Sequence, residues 1–254
     1  MRVARPLIVF GGLIVLWQVL VWATGVQRFI LPSPRDVFGA LVRDYDILAW
    51  HAWITVSEIL LGLVTGSLAG AATALCLAYF RRAQRWLMPV LLALQAMPVF
   101  ALAPILVLWF GFGLASKVVM ATLIIYFPVT AAFYDGLRRT ETGWLDLART
   151  MNGTRWTTLL RLRIPGALPA LASGLRVATA VAPIGAVVAE WVGASAGLGF
   201  LMLHANARVQ TDVMFAALFV LALLSVALYF AVDKILRRAM PWQADTLPSE
   251  EREA

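Results

Sequence analysis

Apolar positions gather into long runs along this chain, and short polar stretches divide them. A run of about 20 apolar residues is long enough to cross ~30 Å of hydrocarbon as a helix. On that rule the pattern predicts six transmembrane helices, over about 7–23, 53–80, 87–110, 118–135, 170–190 and 214–236. The first run follows Arg2 and Arg5, a layout shared with cleaved signal peptides. Its length favours an uncleaved span. In "LPSPRDV" (31–37), Pro32 and Pro34 block helix until Pro34 itself serves as a first helical residue. Val37, Phe38, Leu41, Val42 and Tyr45 then fall on one helical face, which predicts a short helix lying at the interface. Within the second run, Gly62, Gly66 and Gly70 recur every four residues, spacing that lets helix backbones approach closely. Pro89, Pro98 and Pro104 fall in the third run, Pro128 in the fourth and Pro183 in the fifth. With Gln95 close to Pro98, these prolines point to helices that line a path and move.

Composition sharpens the class. The chain is 61% hydrophobic and 14% charged, whereas soluble domains carry about 25% charged residues. The expectation is an all-α integral membrane protein. It has a single transmembrane domain over 1–240 and a polar tail over 241–254, whose composition predicts disorder. The net charge of +7 does not imply nucleic acid, because the basic residues collect at one set of span ends. With the N-terminus inside, fifteen Lys and Arg fall in inner segments and five in outer ones. That bias places both termini in the cytoplasm. Cys76, the one cysteine, has no intrachain partner for a disulfide.

One polar stretch does not fit a simple loop. Residues 139–169 hold arginines and prolines, yet their apolar residues keep helical spacing. Trp144, Leu147, Ala148 and Met151 repeat as one helical face. Asn152-Gly153 then marks a helix end, since both tolerate positive φ. Thr154 is placed to cap a second helix in which Trp156, Leu159 and Leu160 share a face. Pro165 and Pro169 are expected to end the polar stretch before the fifth span. The product is a cytoplasmic helix–turn–helix elbow. On physics alone it either rests on lipid headgroups or docks on a partner.

The elbow resembles the signature loop of bacterial ABC-importer permeases. Asp146-Leu147-Ala148 stands where Glu-Ala-Ala is usual, Asn152 stands at a glycine six positions after the acid, and Leu162-Arg163-Ile164-Pro165 matches the end. Asp for Glu keeps the charge and shortens the reach; Asn for Gly keeps access to left-handed geometry at some steric cost. "LPSPRDV", "ALQAMPVFALAPILVLWFGFGLASKV", "FPVTAAFYDGL" and "GASAGLGFLM" extend the likeness to the nitrate, sulfonate and taurine branch. "YDGLRRTETGWLDLARTMN", "PIGAVVAEWVGASAGLG" and "HANARVQTDVMFAAL" look most like permeases for pyrimidine precursors of thiamine, such as hydroxymethylpyrimidine.

The resemblance implies a type I ABC-importer permease fold in the bacterial inner membrane, with lipid all round. It implies a second permease copy, an ABC ATPase dimer and a periplasmic substrate-binding protein as partners. It assigns ATPase coupling to Asp146, Leu147, Ala148 and Arg149, continuing through Thr150, Met151, Asn152 and Gly153, with Pro165 at the far end.

What the chain lacks also directs the reading. It has no Gly-x-x-x-x-Gly-Lys-Ser/Thr loop, so ATP and magnesium are expected on the partner ATPase and no cofactor on this chain. "GASAGLGF" (193–200) is glycine-rich without the lysine and reads as a turn that re-enters or caps the outer face. No His-Glu-x-x-His or cysteine cluster offers a metal site, and no enzyme site is visible. His51 and His204 read as interfacial polar residues. Charges inside spans are costly, which draws attention to Glu58, Arg176 and Glu190. Glu190 beside Trp191 pairs an acid with an aromatic ring and suits an aminopyrimidine. The candidate solute path is therefore Gln95, Pro98, Glu190 and Trp191. A sulfonate, taurine or nitrate path would call for a cation near its mouth, with Lys117 and Arg208 as candidates. An ion-coupled secondary transporter is the alternative from another class, and would carry paired repeats and buried ion-binding groups. A membrane scaffold for another complex is a further one.

Overall fold

The computed structural model describes residues 4–242. Arg2, Arg252 and the tail reading over 243–254 lie outside the described residues. In chain order the helices are α1 Ala4–Thr24, α2 Pro34–Arg43, α3 Tyr45–Tyr79, α4 Arg81–Ala96, α5 Val99–Phe110 and α6 Leu114–Arg138. There follow α7 Thr142–Thr150, α8 Arg155–Thr158, a π-helical turn Leu159–Arg163, α9 Ile164–Gly193, α10 Leu198–Ala207 and α11 Thr211–Ala239. Every regular element among the described residues is helical, as lipid demands of an open chain that must satisfy its own backbone.

Four stretches are long and apolar enough to cross a membrane: Tyr45–Tyr79, Leu114–Arg138, Arg155–Gly193 and Thr211–Ala239. The first of these, α3, is ~50 Å long and outruns the hydrocarbon. Ile8–Thr24 is apolar but shorter. The predicted third span, 87–110, is not one helix. It is broken between α4 and α5, and Arg82–Gln95 with Val99–Phe110 passes as a span only when the two are taken together. Pro98 causes the break. It lacks an N–H, and it drives Met97 to an extended conformation, φ −75° and ψ 132°.

The fifth span departs in the opposite sense. Pro165 and Pro169 lead into the span without interrupting helix, which runs from Arg155 through both prolines to Gly193. The π turn makes this possible. Ile164 donates its N–H to Leu159 O, five residues back, so the ladder has already loosened where Pro165 contributes no donor. The same turn spoils the expected common face, for Leu159 is buried while Trp156 and Leu160 stay exposed.

The chain divides into two compact units. Unit 1 comprises Met1–Gly62, Val99–Ala121 and Ala182–Val226. Its core gathers Val37 and Ala40 of α2, Leu48 of α3, Leu198 and Met202 of α10, and Val213 and Ala217 of α11. Ser33 caps α2, with Pro34 in its first turn, and Asp36 completes a reciprocal capping box. The expected single face of α2 is split: Val37 and Leu41 face the core while Phe38, Val42 and Tyr45 remain exposed. Trp17 stacks on Phe215 at 5.9 Å.

Unit 2 comprises Leu63–Pro98, Thr122–Val181 and Ala227–Ala254. Ala74, Leu77, Leu91, Phe133, Leu137, Leu159 and Ala167 form its core. Here α3 and α6 come into backbone contact. A Cβ on Gly66 would meet Ile125 side-chain atoms at 2.8 Å, and one on Gly70 would meet Tyr126 O at 2.9 Å. Gly136 and Gly174 do the same for α6 and α9, against Ala170 and Ala132 at 2.7 Å each. Arg176 is paired with Asp233 at 2.7 Å, and Asp233 also holds Arg237 at 2.8 Å. Both charges of the deeper pair are thus compensated.

Candidate functional site: a capped elbow and a buried polar cluster

The elbow belongs to unit 2. Helix α7 ends in a Schellman turn. Gly153 N–H donates to Ala148 O at 2.8 Å and Asn152 N–H to Arg149 O at 3.0 Å. Asn152 sits at φ 54°, the left-handed conformation that Asn accepts more readily than bulkier residues. Gly153 is needed for a different reason: a Cβ there would lie 2.8 Å from Ala148 O. Thr154 caps the next helix, its hydroxyl accepting from Thr157 N–H at 3.2 Å. Asp146 and Arg149 pair at 2.8 Å on the exposed surface. Trp156 packs edge-on against Tyr79 at the end of α3, with centroids 5.7 Å apart.

This closure leaves the knuckle projecting. No residue of α7 is buried, and Met151 is 74% exposed. Trp144 and Leu147 are exposed with it, Ala148 is half-buried, and Thr150, Asn152, Gly153 and Pro165 are exposed. An apolar helical face is therefore presented on a rigid turn with nothing of the described chain packed over it.

The second constellation lies in unit 1. Glu58 on α3 and Lys117 on α6 form a buried ion pair at 2.7 Å. Lys117 Nζ also donates to Ala196 O at 3.3 Å. Glu190 on α9 is 1% exposed. Its Oε1 accepts from Thr55 Oγ1 at 2.7 Å and its Oε2 from Gly199 N–H at 2.5 Å. Thr55 Oγ1 in turn accepts from Leu198 N–H at 2.8 Å, and His51 Nδ1 accepts from Gly197 N–H at 2.9 Å. So the glycine-rich segment after α9 is a tight, largely buried turn whose backbone groups are met one by one from α3, α6 and α9. Gly197 has φ 122°, and a Cβ there would collide with the Glu190 carboxylate. Trp191, next in the chain, points outward and is exposed. Gln95 and Pro98 are exposed in unit 2. Lys117, read as a candidate mouth cation, is neutralised inside the cluster. No group of three or more His, Cys, Asp or Glu suited to a metal ion occurs among the described residues.

Sequence reasoning singled out Glu58 and Glu190 but did not connect them to Thr55, His51 or the 194–199 turn. The available signal was spacing. His51, Thr55 and Glu58 recur at four and three residues on one face of α3, a polar stripe on an otherwise apolar helix.

Residues 62–241 match the family of binding-protein-dependent transport system inner membrane components. The chain belongs to that family. It is 53% identical to a probable ABC transporter permease protein of Haemophilus influenzae, over 93% of this chain and 97% of that one. The riboflavin transport system permease RibX of Chloroflexus aurantiacus is 37% identical, over 91% and 87%. The formylaminopyrimidine transport permease ThiX of Halalkalibacterium halodurans is 35% identical, over 94% and 96%. Permeases named for aliphatic sulfonates and for taurine match at 27%. Among solved structures, a chain of the MetNI methionine ABC transporter in an inward-facing conformation superposes with a TM-score of 0.65 at 20% identity. That superposition covers 78% of this permease and 95% of the other chain. The permease thus has the type I ABC-importer fold, spans the inner membrane several times and serves as a transport subunit.

Proposed function

We propose that the elbow over 139–169 docks on a separate cytoplasmic ABC ATPase and carries the closure of that ATPase dimer to the membrane helices. The observation behind this reading is the projecting knuckle itself. Trp144, Leu147 and Met151 stand exposed together, on or at the end of a helix locked by Asn152 and Gly153. An exposed apolar face on a rigid turn suits insertion into a cleft. Asp146 and Arg149 flank that face, and Pro165 lies just past the π turn in the helix behind it. Arg149 and Thr150 complete the docking edge. In this arrangement the chain is non-catalytic. ATP and magnesium bind the partner, both termini lie in the cytoplasm, two permease copies assemble as a closed pair, and a periplasmic binding protein delivers the solute. The elbow test is Met151→Glu with Asn152→Glu. The variant is expected to insert normally, lose copurification of the ATPase and lose uptake; retained copurification with retained uptake would refute docking.

For the solute, we propose a hydroxymethylpyrimidine-type thiamine precursor. The permeases named for heterocyclic ring compounds stand at 35–37% identity, above the sulfonate and taurine permeases at 27%. Neutralisation of Lys117 by Glu58 also removes one of two cations an anion path would use. Trp191, exposed in unit 1, is our candidate for contact with the solute, and Glu190 holds the 194–199 turn next to it. Calorimetric titration of the cognate binding protein with hydroxymethylpyrimidine, formylaminopyrimidine, taurine and nitrate tests this. Binding of taurine or nitrate, with no binding of either pyrimidine, would replace the pyrimidine with a sulfonate or nitrate solute.

A further inference from the structure

Behind the knuckle, unit 2 contains a cavity of about 360 Å³ that docking does not explain. Tyr79, Gly153 and Thr158 line it together with Arg149, Arg155 and Arg163. Among the described residues, only Arg149 of the three cations has a carboxylate partner, Asp146 at 2.8 Å. No carboxylate of the described residues pairs with Arg155 or Arg163. The Nε of Arg163 is shut off from solvent and has no hydrogen-bond acceptor among the described residues. A shielded guanidinium N–H without an acceptor is costly, and three guanidinium groups around one concavity repel each other. The repulsion is relieved if an anion with several acceptor oxygens occupies the space and meets the outer guanidinium N–H groups. A phosphate group meets the planar guanidinium fork with paired charge-assisted hydrogen bonds.

The surroundings indicate the depth of the site. Tyr79 ends a membrane-crossing helix, and Phe80, Trp86 and Trp156 are exposed aromatics in the same unit. Tyr and Trp favour the headgroup level, where anionic lipids present their phosphates.

We propose that this cavity is a phosphate-binding site, filled in the membrane by the headgroup of an anionic phospholipid. Occupancy would brace the end of α3 against the base of the elbow, since Arg149 and Gly153 belong to both. The site does not depend on docking, and binding to the isolated permease tests it.

The purified full-length permease is placed in nanodiscs of phosphatidylglycerol with phosphatidylcholine, or of phosphatidylcholine alone, and lipid retained after release is read by native mass spectrometry. The wild type is expected to keep phosphatidylglycerol in preference to phosphatidylcholine. Arg155→Gln/Arg163→Gln should lower that preference about tenfold or more, the scale of two lost charge-assisted bonds. Arg155→Lys/Arg163→Lys keeps the charge and should retain most of the preference, which separates loss of charge from loss of fold. Inorganic phosphate provides the second arm. If it displaces phosphatidylglycerol and raises the melting temperature of the wild type but not of the Gln variant, the phosphate site stands with a free anion as its occupant. Failure to displace, with the lipid preference intact, assigns it to the lipid. Equal retention of both lipids by wild type and Gln variant, with no phosphate-dependent melting shift, overturns the proposal. It is likewise overturned if the Gln variant loses only ATPase copurification, because the arginines would then serve a protein carboxylate.

Discussion

Glu58 and Lys117 sit in apolar surroundings where neither charge would persist alone. Removing one partner of such a pair costs about 3–5 kcal/mol, while replacing both can be nearly neutral. Lys117→Met should therefore lower the melting temperature sharply, and Glu58→Gln/Lys117→Met should restore much of it. Thermal unfolding in detergent measures both; equal losses in the single and double variants would refute mutual compensation. At the interface, the hydrogen bond from Ser33 holds the Asp36 carboxyl below the usual carboxylate range, with Arg28 and Arg35 adding to the effect. A depressed carboxylate stabilises the fold above its ordinary pKa, and that stabilisation is lost as pH falls through the lower folded value. Ser33→Ala should thus reduce stability at neutral pH, and the difference from wild type should shrink on acidification below the carboxylate range. A difference that persists unchanged in acid would show that Asp36 takes no part. Local chemistry of this kind was legible beforehand: Ser33, Pro34 and Asp36 spell a helix start, and Asn152-Gly153 a helix end. The links from His51 and Thr55 to Gly197 and Leu198 were not, because they join positions about 140 residues apart.

At the scale of elements, the glycine stripe of α3 is what brings α6 to backbone distance. Gly66→Leu would drive a side chain into Ile125 and Thr122 O. Such overpacking costs about 1–3 kcal/mol or more where backbone cannot yield. Expression and melting temperature should both fall; wild-type values for both would count against the close approach. Gly66→Ala should be milder but still measurable, since even its Cβ falls within 3 Å of Ile125. The stripe could be seen in the sequence, but its partner could not. Gly136 and Gly174, which do the same work between α6 and α9, stand alone without a repeat and gave no pattern to read. Prolines misled in both directions for one reason. The effect of a proline depends on the hydrogen-bond ladder around it. At Pro98 the ladder ends, whereas at Pro165 a π turn has already rerouted it.

At the scale of the whole molecule, the chain supplies membrane helices and a projecting knuckle but no nucleotide-binding loop. Reconstituted alone in vesicles, it should not concentrate solute, with or without an ion gradient. Addition of the ATPase, the binding protein and ATP should start uptake. Accumulation by the permease alone would make it a secondary transporter and end the importer reading. Hydrophobic runs and turn chemistry determined, without coordinates, that this is a helical membrane protein with a capped elbow, because span length and capping are short-range consequences of hydrocarbon thickness and backbone geometry. Only the tertiary structure decided where the buried charges find partners, that Glu190 and Thr55 hold the 194–199 turn, and that three arginines share one cavity. Those are contacts between distant segments, and no local pattern encodes which charge will meet which.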